Sequence, residues 1–360
     1  MNRIVKYFLC GLAVMVGFVS CSKENIIPDE PFVEQSGVPI TFAMSNNEPS
    51  STKAHIYTPS NFVEHNTGGG NLSVYAYLHG TETVYINNAR VWYFADFLEW
   101  EFSEYATEDY AVKLYNCYWP FNYSLDFFAY MPMYPDLSKT AVSNLSYSAT
   151  NGPSFSCTLP LSEEDQENIT EFMYAYTTDK SASNPGGTTQ VVNPNGNGMI
   201  TVNAVPLEFV HPFAVVYLKL KRGHRMTLHN VSFANIKYSG NYNHTEKWSF
   251  ADATSTLSLD IEKQIPQDIN YESVFAGPFI VMPQSLDGVT LGVRGTRVNT
   301  NDTNLDVSGI AIKTADVPIW EAGKAYTYSL DLGDNEEEVL FEVMVEAWDK
   351  VNYKHVIDVE

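Results

Sequence analysis

The side chains of this 360-residue chain that could do covalent, redox or metal chemistry are few: four cysteines and eight histidines. Cys21 has the most informative context. It follows the small residue Ser20, an apolar run over residues 7–19, and a basic start containing Arg3 and Lys6. Basic, then apolar, then small is the order of an export signal, and the cysteine sits where its cleavage site should be. The apolar run is about 13 residues, whereas a helix crossing a roughly 30 Å hydrocarbon core needs about 20, so residues 1–20 are expected to be a signal peptide that is removed. Cys117 and Cys157 also remain in the mature chain. In an oxidising compartment they could pair, or each could serve as a small buried apolar residue; their spacing gives no geometry. Two cysteines are too few for a metal framework.

Phe18-Val19-Ser20-Cys21 resembles the lipobox of bacterial lipoproteins, with Phe18 where leucine is common. The resemblance implies a lipid on the Cys21 thiol. Several acyl chains, each buried CH₂ contributing about 0.8 kcal/mol, hold a soluble domain on a membrane without a spanning helix. The other reactive types lack the company catalysis needs. The sequence carries no G-x-S-x-G, H-E-x-x-H or Walker A pattern, and Gly196-Asn197-Gly198 lies in a polar stretch without the further glycine of a dinucleotide loop. His211 stands beside Pro212 in an apolar run and reads as a hydrogen-bonded structural histidine. His224 and His229 are five apart, which sends them to opposite faces of a strand and argues against a metal pair. The acidic run at Glu336, Glu337 and Glu338 lacks the glycine and ligand pattern of a calcium loop. No cofactor, metal or enzymatic activity is expected.

Removing Arg3 and Lys6 with the signal moves the formal charge from −22 to −24, leaving 43 acidic residues against 19 basic ones. Such a surface repels phosphate backbones, so nucleic acid is not an expected partner. Aromatic residues make up 14% of the chain, 23 of them tyrosine, and this usage leans toward β structure. The aromatics, among them Trp92, Trp100 and Trp119, read mainly as core, with sugar-stacking platforms as the rival reading.

The elements that would position these groups are strands. Residues 21–37 are polar and contain Pro28 and Pro31, a flexible tether. Ile40, Phe42 and Met44 then alternate with Thr41 and Ala43, the period of a strand with one buried face. Further strands are expected at 72–78, 91–94, 98–102, 124–131, 154–159 and 171–177, with a turn or two of helix near 162–167. Residues 179–198 are rich in Ser, Asn, Pro and Gly and read as a loop or linker between an N-terminal domain at 38–198 and a C-terminal one at 199–333. In the second domain, strands are expected at 207–220, 226–238, 257–262, 274–282, 289–293 and 326–332. An appendage at 334–360 closes the chain, with Val339, Phe341, Val343 and Val345 on one face, Met344 and Trp348 on the other, and a second alternating run through Tyr353, His355, Ile357 and Val359.

These residues resemble the fimbrillin, or Mfa-like, family of surface lipoproteins that build the type V pili of Bacteroidales. The resemblance covers nearly the whole chain and is carried by VPITFAM from Val38, TKAHIY from Thr52, YWPFNYSLDFFAYMP from Tyr118, PLEFVHPFAVVYLKL from Pro206, PFIVMPQSLDGVTLGV from Pro278, IWEAGKAYTYSLDL from Ile319 and EVMVEAW from Glu342. It implies an all-β chain of two transthyretin-like β-sandwich domains with a C-terminal donor-strand appendage, at the surface of the outer membrane and, after assembly, in a fimbrium. It further implies proteolysis after Lys53, loss of the strand bearing Ile40, Phe42 and Met44, and its replacement by a donor segment from another subunit. The donor residues would be Val339, Phe341, Val343, Val345 and Trp348, with the run at 353–359. Lys53 departs from the family, in which the best-known members present arginine. The partners so implied are other fimbrillin subunits, the same or different, and the membrane through the lipid. A second class stays open on the residues alone: a monomeric surface lipoprotein that binds glycan or host protein.

Overall fold

The computed structural model describes residues 33–44, 72–94, 99–105, 112–115, 117–132, 136–193, 198–223, 226–265, 268–297, 303–331 and 340–347. The chain is all-β: strands account for nearly all regular structure among these residues. The one described α-helix, Glu163–Asn168, is capped by Ser162, whose hydroxyl accepts the Asp165 N–H at 3.2 Å.

Two strands explain the layering. Leu125–Met131 is buried along its whole length, and its period-two alternation divides it between two cores. Leu125, Phe127, Ala129 and Met131 face one cluster with Leu72, Val74 and Ala76, while Phe128 and Tyr130 face another. Ala214–Gly223 does the same in the second half, with Ala214, Val216 and Leu218 in a third cluster and Val215 and Tyr217 turned the opposite way. A strand covered on both faces reads as a continuous apolar run, which is what LDFFAYM and AVVYL are.

The first half rests on a six-stranded sheet in the order Met173–Lys180, Leu125–Met131, Leu72–Leu78, Val84–Phe94, Glu99–Tyr105 and Val112–Tyr115. The second half packs a sheet of Asp268–Val281, Ala214–Gly223, Lys324–Asp331 and Leu340–Ala347 against one of Ser255–Ile265, Met226–Ile236, Thr290–Arg297 and Thr303–Ala311. Gly277 lets the long strand Asp268–Val281 bulge: its φ is +103°, and a Cβ there would sit 2.7 Å from the Val216 carbonyl.

A further sheet crosses the middle of the chain. Lys247–Phe250, Ser239–Asn243, Gly152–Thr158 and Val142–Ser148 pair in that order, so strands from before and after residue 198 share one ladder. Its inner face carries Phe155, Tyr242 and Trp248, which meet Phe172, Tyr174 and Phe213. The Tyr174 and Tyr242 hydroxyls lie 2.6 Å apart, and His244 Nδ1 is 3.1 Å from the Tyr174 hydroxyl. Burial, and next the charge of Lys247, lowers the pKa of His244.

Two expectations need correcting, and one open alternative is decided. The segment 179–198 contains the strand Gly187–Val192, paired with Met199–Leu207. The strand expected over 207–220 is two, Met199–Leu207 and Ala214–Gly223, because the connection at 208–213 turns around Pro212 and seats His211 on the buried carboxylate of Glu171. Cys157 is a free, buried thiol, so it makes no disulfide with Cys117; burial pushes its pKa up.

Candidate functional site: the groove of the first strand

The described chain opens with a segment that serves two sheets in ten residues. Gln35–Pro39 runs antiparallel to Tyr118–Pro120, with Gln35 opposite Pro120 and Pro39 opposite Tyr118. Gly37, at φ +75°, lies where the register shifts. The Phe121 N–H donates to the Glu34 carbonyl at 2.6 Å, and the Ile40 N–H donates to the Cys117 carbonyl at 2.7 Å. The segment then crosses over. The Val205 N–H donates to the Thr41 carbonyl at 2.7 Å, and Phe42–Met44 continues parallel to Val205, Pro206 and Leu207.

Side chains hold it more firmly than these short ladders do. Ile40 and Phe42 are 5% and 1% exposed, in a cluster with Cys117, Trp119, Phe127, Val205 and Leu207. The Phe42 and Trp119 rings both meet Phe127 edge-on, at 5.8 and 5.7 Å. Burying an isoleucine and a phenylalanine side chain stabilises by about 1.5–3 kcal/mol each. Met44 lies on the same strand by register, opposite Leu207.

At the other terminus, Leu340–Ala347 forms the edge of its own sheet, antiparallel to Lys324–Asp331 over eight pairs. Phe341 and Val343 pack against the second-half core, and the Phe341 ring lies 5.9 Å from that of Tyr328. Val345 differs from expectation: opposite Tyr326, where the core no longer covers the strand, it is 41% exposed, and Met344 on the other face is 47% exposed. Among the residues singled out in the sequence, Cys21, Lys53, Val339, Trp348 and 353–359 lie outside the described residues, as does His224.

Sequence reasoning missed a second convergence, at the end of the six-stranded sheet. Asp126, 2% exposed, accepts from the Asp179 N–H at 2.8 Å and from the Tyr147 hydroxyl at 3.0 Å, and pairs with His79 Nδ1 at 2.7 Å. The hydrogen bond to Asp126 is the main reason the His79 pKa is raised. An aspartate inside an apolar strand, LDFFAY, was the available signal. By contrast, His229 joins exposed Glu262 and Thr296 across a sheet face. No group of three or more potential metal-ligating side chains occurs among the described residues.

This is an all-β chain whose sheets layer around three apolar clusters, with the first and last described strands on sheet edges. The model of the family described as fimbrillin-like matches residues 43–348, and the chain belongs to that family. Its members are structural proteins of cell-surface fimbriae and not enzymes, which places this chain at the cell surface in association with other fimbrial subunits. No curated protein matches the chain in sequence. Solved structures that share the fold include a fimbrial protein of Bacteroides vulgatus at 13% identity, with a TM-score of 0.54, and a candidate cell adhesion protein of Bacteroides uniformis at 15%, with a TM-score of 0.50. Each likeness covers 86% of this chain and 99% of the other.

Proposed function

We propose that this protein is a structural or anchoring subunit of a fimbrium, exported as an outer-membrane lipoprotein acylated at Cys21 and assembled by exchange of its first strand. The observation that carries the reading is the placement of residues 35–44: Ile40 and Phe42 deep in a core, and the backbone paired with the edges of two separate strands. Removing that segment, by cleavage after Lys53, leaves an apolar slot at Trp119, Phe127, Val205 and Leu207 and frees the hydrogen-bonding edges of Tyr118–Pro120 and Val205–Leu207. Each buried polar group left unpaired costs about 1–3 kcal/mol. An extended segment from another subunit restores both terms if it alternates apolar residues at the Ile40 and Phe42 positions.

The donor belongs to the C-terminal appendage at 334–360. Leu340–Ala347 is paired at home in the single chain, yet it lies on an edge, with Met344 and Val345 outward and only part of Phe341 and Val343 covered. The N-terminal domain at 38–198, its slot completed by Val205 and Leu207, would then be the acceptor, and the C-terminal one at 199–333 the donor body, joined to it through the shared ladder.

Limited trypsin treatment of the purified mature chain tests the reading. Cleavage near Lys53 should yield heat-labile ladders of oligomers on unboiled gels, and deletion of residues 334–360 should abolish them. Cleaved protein that stays monomeric would sink it.

A further inference from the structure

Turns between strands favour Gly, Asn, Asp and Ser, because these tolerate the backbone and the water. The turn between Tyr118–Pro120 and Leu125–Met131 breaks that habit. Phe121 and Tyr123 are 51% and 53% exposed and flank Asn122, which takes the left-handed conformation at φ +64°. The residues bracketing the turn, Pro120 and Leu125, are buried, and the Phe121 N–H is tied to the Glu34 carbonyl. Two aromatic rings are thus held in water on a fixed backbone.

His79 lies beside them. Leu78 pairs with Leu125, and the His79 N–H donates to the Ser124 carbonyl at 2.9 Å, so the turn at 79–83 is next to the turn at 121–124. The His79 side chain is 46% exposed, while the Asp126 carboxylate that holds its Nδ1 is 3% exposed. A carboxylate on Nδ1 fixes the ring's orientation and keeps the proton there in the neutral form, leaving Nε2 for another partner.

We propose that this end of the six-stranded sheet is a saccharide-binding site for a neutral hexose unit, with Phe121 and Tyr123 as stacking surfaces and Asn122 and His79 Nε2 as hydrogen-bonding groups. A sugar ring offers a C–H face that packs on an aromatic plane and a rim of hydroxyls that both donate and accept. Flat rings beside an amide and an imidazole match both surfaces. Charge selects the neutral sugar: exposed Glu34 and Glu82 border the two turns, and the chain carries a net −22, so a sialylated or sulfated glycan, or an anionic membrane, is repelled. The site goes beyond the fimbrial reading and is that of the uncleaved chain, in which Glu34 still holds the Phe121 backbone.

The test uses the mature chain with Cys21→Ser, uncleaved, on an array of neutral oligosaccharides ending in mannose, galactose or N-acetylglucosamine, printed beside sialylated and sulfated ones. Retention by at least one neutral glycan is expected, followed by calorimetry with that glycan. Phe121→Ser and Tyr123→Ser should each weaken Kd by about tenfold. His79→Gln should weaken it by a smaller factor. Because Phe121 and Tyr123 are half exposed, their variants should keep the parent's melting temperature, which separates lost binding from lost folding. No retention on any neutral glycan, retention confined to acidic ones, or an unchanged Kd in the Phe121→Ser/Tyr123→Ser double variant would overturn the proposal. Ladder formation is a separate measurement and is untouched by any of these results.

Discussion

The first and last described strands are held by opposite means. Residues 35–44 have short ladders, five residues on one neighbour and three on another, but bury Ile40 and Phe42 almost completely. Leu340–Ala347 has an eight-residue ladder and leaves Met344 and Val345 more than 40% exposed. The first strand is anchored through side chains and the last through backbone. Side-chain packing constrains which residues a position accepts, whereas a backbone ladder forms with any extended chain, so sequence matters more at Ile40 and Phe42 than at Met344 and Val345.

Phe42→Ala probes this contrast hardest. Truncating a fully buried phenylalanine costs about 3–5 kcal/mol, and a urea melt of the mature chain should show a loss of that size. A loss under about 1 kcal/mol would mean that the slot does not depend on its filling. Phe341→Ala comes next: the ring is only partly covered, so the loss should be about 1–2 kcal/mol, and equality with Phe42→Ala would erase the distinction.

A pH series probes the brace behind the partner strand of residues 35–39. The His79 pKa is raised in the folded chain, chiefly by the Asp126 hydrogen bond. Its stabilisation is therefore fully present below the unfolded histidine value of about 6.5 and is lost as pH rises through the higher folded value. Thermal melts should show His79→Gln less stable than the parent in mild acid, with the gap closing toward alkaline pH; a gap that widens there would contradict the pairing. Smallest of all, Met344→Ser should change stability by no more than about 0.5 kcal/mol, as an exposed position allows.

Strand content was legible where period-two alternation was clean. Ile40 and Phe42 announced their buried face, and the apolar strands at 72–78 and 125–131 declared themselves with nearly correct limits. Val142–Ser148 and Ser239–Asn243 did not, because their outward positions are Ser and Asn, residues that also mark loops. In the structure those side chains satisfy one another across strands, Ser146 with Ser154 and Ser156 with Asn241, each at 2.8 Å. The run over 207–220 misled for the opposite reason. Phe209, Val210 and Phe213 keep the composition apolar through a connection, and only the buried Glu171 partner of His211, forty residues away, shows why the chain turns. The site at Asp126 was hidden for the same cause: its partners His79, Tyr147 and Asp179 come from three distant stretches, so no spacing could disclose it.

The ladder that joins Gly152–Thr158 to Ser239–Asn243 has a mechanical consequence. A pull on the two ends of the chain cannot be taken up by straightening the stretch between Val192 and Met199, since five cross-strand pairs and a packed layer of aromatic rings bridge the halves in parallel with it. That bridge shares the load with the six-pair ladder of Gly187–Val192 on Met199–Leu207, so the two halves are tied by two ladders and not by a bare linker.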